Sequence, residues 1–294
     1  MKIETLDLTD DGRVRLTAYL LDKSPEMPAI DRRPALIVCP GGGYSFISDR
    51  EAEPVALAFS AQGYHTFVLR YSIGKYAAFP NSLVDLARAV ALVRRRAETF
   101  GVQADHIAVA GFSAGGHLAA SLGVFWNDRE IQALAQCSGE ENRPNALVLC
   151  YPVITSSEKT HRGSMDVLLA GTQGEARQAL QQRLDLYLHV GPQTPPCFLV
   201  HTYFDNAVPV ENTLLWAQAL AAHDIAFELH IPQNGVHGLA LANTVTARTP
   251  DGVILEFAKW PQLCGRWLNE LFEYSALHPK VYPSALTRAR PFGK

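Results

Sequence analysis

With 294 residues, 48% of them hydrophobic and 19% charged, the chain has the make-up of a folded domain with a sizeable core, and its length suits one large domain. A net charge of −3 with acids and bases interspersed argues against nucleic acid or an anionic membrane as a partner. No apolar run approaches the ~18 residues of a membrane span, and five cysteines with no C-x-x-C pair predict no disulfide framework.

The opening stretch, MKIETLDLTDDGRVRL, lacks the basic-then-apolar layout of a signal peptide, so a cytoplasmic location is expected. Ile3–Leu8 and Val14–Leu21 alternate in polarity and lie close together, as an antiparallel edge hairpin does. Ala35–Cys39, His65–Leu69, His106–Ala110, Ala146–Cys150, Cys197–His201 and Ala226–Ile231 are nearly all apolar, the pattern of strands buried on both faces. Helical periodicity fills the intervals at residues 51–62, 80–99, 114–125, 208–222 and 253–273. The helix at 80–99 ends in Arg94-Arg95-Arg96, which reads as a solvated C-terminal turn favoured by the helix dipole. Strand–helix alternation of this kind predicts an α/β fold, with a mostly parallel sheet of about eight strands covered by helices on both faces.

Two regions break the rhythm. Residues 155–194 fall between consecutive core strands and predict a small cap or pocket insertion over the strand ends, where open parallel sheets bind ligands. Residues 276–294 are Pro-rich and basic, and should pack on the surface or fray. The late apolar stretch Trp260–Phe272 suits either core or an interface. Residues 1–294 are thus expected to form one domain with one insertion.

The chemistry concentrates at three strand ends and one loop. AVAGFSAGGHLAA (108–120) puts Ser113 on the turn between a strand and a helix. Serine is a good N-cap, and a capping role is the plain alternative. A sharp strand–turn–helix elbow, however, exposes the serine hydroxyl above the sheet, and its close packing accounts for Gly111 and Gly115. A nucleophilic serine needs a base and an acid to orient that base. Downstream, CFLVHTYFDNAVPVENT places Asp205 just past a strand, and FELHIPQNGVHGLA places His237 in a Gly-flanked loop past another. Asp205 as a loop cap and His237 as a surface histidine are the alternatives. The order Ser, Asp, His along the chain is the one this elbow geometry takes. His201, four residues before Asp205, is expected to be structural, as is Asp85 in the helix after Pro80. Upstream, LIVCPGGGYSF ends a strand in three glycines, whose bare amides suit a developing oxyanion. The hole is assigned to the Gly42 and Gly43 amides together with that of Ala114. Tyr44 and Phe46 follow directly and read either as walls of a small acyl pocket or as core aromatics.

On these residues the chain resembles an α/β-hydrolase serine esterase, and more narrowly the acetylesterases grouped with bifunctional acetyl-xylan and feruloyl esterases. The matching stretches are PGGGY (40–44), VLRYS (68–72), GFSAGGHLAA (111–120), LCYPVI (149–154), HTYFDNAVPVENT (201–213) and HGL (237–239). The resemblance implies Ser113 as nucleophile, His237 as base and Asp205 as acid, acting on short acyl esters that include acetyl groups on sugars or xylo-oligosaccharides. Related lipase-like esterases carry His before the glycines. This chain has Pro40 there, as the narrower group does, and its residues 171–194 match no family pattern.

The expected function is hydrolysis of short-chain, chiefly acetyl, esters through an acyl-enzyme on Ser113, needing no cofactor or metal. Its partner is a small-molecule or oligosaccharide ester. A prolyl-oligopeptidase-like peptidase stays open, although such enzymes usually add a propeller domain for which these residues leave no length. A hydrolase-shaped binding protein also stays open, although such proteins typically lose the serine or the histidine.

Overall fold

Successive side chains of a strand point to opposite faces of its sheet, and these strands are apolar at both parities. In the computed structural model, which describes residues 1–27 and 30–272, Ala35, Ile37 and Cys39 of β3 (Arg33–Cys39) enter one hydrophobic core while Leu36 and Val38 enter another. A strand of this kind leaves water only when both faces are covered.

The other strands are β1 (Lys2–Asp7), β2 (Arg15–Leu20), β4 (His65–Arg70), β5 (Val102–Phe112), β6 (Ala146–Cys150), β7 (Cys197–Val200) and β8 (Phe227–His230). They form one eight-stranded sheet in the order β1-β2-β4-β3-β5-β6-β7-β8. β1 pairs with β2, and β2 with β4, antiparallel. Every later pairing is parallel. All eight segments read as strands in the sequence are strands, and the first two form the edge hairpin expected of them.

One core lies under α2 (Asn81–Arg95), α4 (Ala114–Phe125) and α8 (Glu211–Ala222), through Leu86, Leu118 and Trp216 among others. The second lies under α1 (Glu53–Ser60) and α9 (Trp260–Phe272), through Phe59, Trp260 and Leu268. The stretch Trp260–Phe272 is therefore core. The helix expected at 253–273 begins only at Trp260, where Pro261 in the first turn has no amide to lose. The helix expected at 80–99 breaks at Arg96 into α2 and α3 (Ala97–Phe100).

Three helices escaped the periodicity. α5 (Arg129–Ala135) is started by Asp128, whose side chain accepts from the Glu130 and Ile131 amides. α6 (Arg162–Leu168) and α7 (Gly174–Arg183) occupy the segment between β6 and β7. They are too short or too polar to show an apolar stripe. Residues 276–294 lie outside the described residues.

The arginine run needs a correction. Arg94 is not simply solvated: its guanidinium donates to the carbonyls of Ala104, Glu140, Glu141 and Arg143 and to Asn145 Oδ1. Burial pushes its pKa down to about 10. It ties the end of α2 to the loop before β6. Arg95 and Arg96 are exposed, as expected, and Arg95 pairs with Glu141. The five cysteines are free and buried, and no helix among the described residues is long and apolar enough to cross a membrane.

Trp260 is the keystone of the second core. It is 1% exposed, its ring lies 5.7 Å from that of Phe59 and 5.8 Å from that of Phe112, and its Nε1 donates to Ala240 O. Trp260→Ala should cost about 3–5 kcal/mol in urea unfolding. Trp260→Phe, which forfeits mainly the hydrogen bond, should cost nearer 1 kcal/mol. Equal losses in the two variants would mean that packing is not what Trp260 supplies.

Candidate active site

β5 ends at Phe112 and α4 begins at Ala114, so Ser113 alone makes the turn between them, at φ 54° and ψ −117°. A non-glycine residue held there stores about 1–3 kcal/mol of strain. The surroundings leave no other path. A β-carbon at Gly111 would lie 2.1 Å from Gly115 O, and one at Gly115 would lie 2.1 Å from Cys39 O. Ser113 occupies the N-cap position of α4, yet its hydroxyl caps nothing. Its Oγ instead lies 2.8 Å from His237 Nε2.

Asp205 sits in the loop after β7, and its two oxygens do different work. Oδ1 accepts from the Ala207 and Val208 amides at 2.9 and 2.8 Å, which is the loop-capping role of an Asx turn. Oδ2 accepts from His237 Nδ1 at 2.7 Å, with His201 Nε2 at 3.3 Å. The capping role and the contact with histidine thus coexist. Burial alone would raise the Asp205 pKa. Hydrogen bonds from His201, His237 and the Val208 amide, with the charge of His237, outweigh it and hold the carboxyl well below the usual carboxylate range.

With Nδ1 donating to Asp205, the neutral His237 ring presents a bare Nε2 that accepts the Ser113 proton. His237 is steadied in turn by Asn206, whose Oδ1 accepts from its amide at 3.1 Å, and by the edge-on ring of Tyr151 at 5.1 Å. His201 is fully buried, bonded to Thr213 Oγ1 and Val208 O, and so braces the loop that carries Asp205. Asp85 lies elsewhere, accepting from the Ser72 amide at the end of VLRYS.

The glycine loop turns its carbonyls upon itself. Gly41 O accepts from the Ser48 amide, and Gly42 O from those of Ser45 and Phe46. Among the described residues the amides of Gly42, Gly43 and Ala114 have no acceptor. Gly42 must be glycine, because at φ 128° a β-carbon would stand 2.0 Å from Phe46 O.

Tyr44 is a correction to the pocket reading. At φ 60° its side chain turns into the core, 1% exposed, edge-on to Tyr71 and with its hydroxyl 2.9 Å from His117 Nδ1. It presents no wall to a substrate. Phe46, 53% exposed, is free to do so.

The segment 155–194 meets the glycine loop through residues the sequence gave no reason to select. A β-carbon on Gly43 would lie 3.6 Å from His161 Cε1 and 3.8 Å from Ser164 Oγ. His161 Nδ1 accepts from the Ser164 amide, and burial together with the nearby charge of His237 keeps its pKa below the ordinary histidine value. The contact comes from the start of α6.

Comparison with known proteins agrees with this architecture. The family model described as BD-FAE matches residues 24–220. The solved acetyl ester-xyloside bifunctional hydrolase of Caldicellulosiruptor lactoaceticus is 37% identical, with 91% of this chain and 92% of that one covered at a TM-score of 0.75. The acetylxylan esterase of Xylanibacter ruminicola is 27% identical over 80% of this chain and 45% of its own length. Endo-1,4-beta-xylanase B of Butyrivibrio fibrisolvens is 35% identical over 72% of this chain but only 33% of its own length. The chain therefore spans roughly a third to somewhat over half of the first curated relatives it matches.

The Asp205 environment has a consequence for pH. A carboxyl whose folded pKa is depressed contributes stability that is present above its unfolded value, about 3.9, and is lost as the pH falls below it. Thermal melts of wild type and Asp205→Asn should therefore lie furthest apart near neutral pH and converge below about pH 4. A gap that persists unchanged into acid would show that these hydrogen bonds are not linked to folding.

Proposed function

The chain belongs to the BD-FAE family and its domain is a carboxylic ester hydrolase of the α/β-hydrolase fold, and on that premise we propose that it hydrolyses short-chain acyl esters through an acyl-enzyme on Ser113. Acetyl groups on sugars or xylo-oligosaccharides are the substrates we put first. The observation that carries the reading is the unbroken hydrogen-bonded chain from Asp205 through His237 to a serine hydroxyl that caps nothing. An N-cap serine would spend that hydroxyl on its own helix.

The reaction follows from the placement. As Ser113 Oγ attacks the ester carbonyl, its proton passes to His237 Nε2, and Asp205 stabilises the resulting imidazolium. The carbonyl oxygen becomes an oxyanion that accepts from the Gly42, Gly43 and Ala114 amides. Each such donor, already in place, is worth about 2.7–4 kcal/mol in the transition state. Collapse of the intermediate breaks the bond to the alcohol, which leaves with the proton from His237. Water then attacks the acyl-serine, giving its proton to His237, and Ser113 is restored as the acid departs.

The preference for a short acyl group draws on the crowding of the glycine loop. His161 and Ser164 of the 155–194 segment stand against Gly43, while Phe46 flanks the same loop from the other end. This gives the segment the role of a pocket insertion within one domain. The acetyl and sugar-ester preference also draws on the chain's similarity to an acetylxylan esterase and an acetyl ester-xyloside hydrolase.

Initial rates on p-nitrophenyl esters from acetyl to dodecanoyl, for wild type and Ser113→Ala, test the proposal. Activity highest on acetyl, falling with chain length and reduced at least about 10³-fold in the variant, is expected. Wild-type activity no greater than that of the variant would overturn the mechanism, and equal rates on long chains would overturn the small pocket. Acetylated xylo-oligosaccharides, assayed by acetate release, address the alcohol half.

A further inference from the structure

Glu51 is a buried carboxylate that the proposed mechanism does not use. It is 2% exposed, it touches no reacting atom, and no cation pairs with it among the described residues. Burying a carboxylate is costly unless its oxygens are well satisfied, so its partners are informative. Oε2 accepts from the Gly41 amide at 2.8 Å, and Oε1 accepts from the Tyr151 hydroxyl at 2.8 Å.

Both partners lead to the site. The peptide between Pro40 and Gly41 is gripped at each end, its N–H by Glu51 and its carbonyl by the Tyr71 hydroxyl at 2.6 Å. This peptide begins the glycine loop, so its plane sets the direction from which the Gly42 and Gly43 amides project. The Tyr151 hydroxyl in turn accepts from the Ala240 amide at 2.9 Å, three residues past His237, and the Tyr151 ring stands edge-on to the imidazole. The neighbouring Arg50 donates to Gly238 O at 2.7 Å. A single 3-10 turn, Asp49–Glu51, thus holds the glycine loop from behind and the histidine loop from below.

We propose that Glu51 is a positioning residue for hydrolysis, its carboxylate fixing the oxyanion-binding amides and the His237 loop in one mutual geometry. The inference rests on the esterase reading above and deepens it. A group of this kind acts on the transition state and not on substrate affinity, because the amides it aims are needed only once the oxyanion forms. A merely structural carboxylate would change stability and leave the turnover of folded molecules alone.

Glu51→Gln is the informative variant. It keeps size and shape but turns one acceptor into an NH₂ donor, which must face either the Gly41 amide or the Tyr151 hydroxyl. The expected result on p-nitrophenyl acetate is a fall in kcat of about 10- to 100-fold, with KM changed less than about threefold. The backbone amide resonances of Gly42 and Gly43 should shift as well, while those of the distant β1–β2 hairpin stay in place. Tyr71→Phe frees the other end of the same peptide and should act in the same direction to a smaller extent, so the test does not hang on one variant folding. Glu51→Gln and Tyr151→Phe should be strongly non-additive in kcat, since they break one chain.

Glu51→Gln with wild-type kcat and unmoved glycine resonances would overturn the inference. So would a loss of activity that only tracks the unfolded fraction. Should wild type hydrolyse no ester, the proposed function falls and takes the role in hydrolysis with it, while the resonances still show separately whether Glu51 orients the glycine-loop amides.

Discussion

The start of α4 lies so close to the end of β3 that a β-carbon on Gly115 would stand 2.1 Å from Cys39 O and 2.5 Å from Pro40 O. That approach arranges the rest. β3 and β5 are neighbours in register, Cys39 opposite Gly111, and both strands end at the same level. The helix after β5 and the loop after β3 must therefore share one small volume. Glycine at 111 and 115 is the only composition that lets them, and the first turn of α4 is packed against the start of the glycine loop as a result. The elbow and the glycine loop come together because two adjacent parallel strands stop together.

The same crowding explains how a strained residue is held without yielding. Ser113 at φ 54° is tied on both sides of its α-carbon: its amide donates to Cys150 O, and its carbonyl accepts from the His117 and Val153 amides. Strand β6 and the first turn of α4 thus determine its backbone completely, which is the condition for strain to persist. Only the side chain is left unassigned by the scaffold, and it is the side chain that meets His237. Asp205 is built on the opposite plan. Its backbone is in an ordinary loop, while its side chain is over-determined by three neighbouring donors and one more at longer range, so its charge stays in place beneath the imidazole.

How far the sequence disclosed this depends on the length scale of the signal. The strands were legible because burial on both faces makes an apolar run, and Ser113, Asp205 and His237 because each follows such a run in the order their geometry demands. All three meet at hydrogen-bond distance. Tyr44, which reads equally as a pocket wall or a core aromatic, is decided locally: at φ 60° after the glycines its ring is buried in the core, and no residue pattern fixes that angle. Arg94 misled because most of its acceptors are backbone carbonyls of a loop some fifty residues on, which no side-chain pattern marks. Glu51 and His161 were invisible for the same cause, since what they touch is set by the sheet order and not by their neighbours in the chain.

That difference separates the reaction from its substrate. The reacting groups hang on strand ends and tight turns, whose residue types are forced by packing, so the class of chemistry can be inferred from composition at a few positions. The side chains that border the glycine loop from outside the core are Phe46 on an exposed turn and those at the start of α6, in a segment of otherwise polar, weakly patterned sequence. Nothing in the core constrains which side chains stand there. A change at His161 or Phe46 would leave the sheet, the elbow and the glycine loop as they are, whereas a single carbon at Gly111 or Gly115 would not. On the proposed reading, substrate preference is carried by contacts that the fold tolerates but does not require, which is why it has to be read by experiment from the loops and not from the frame.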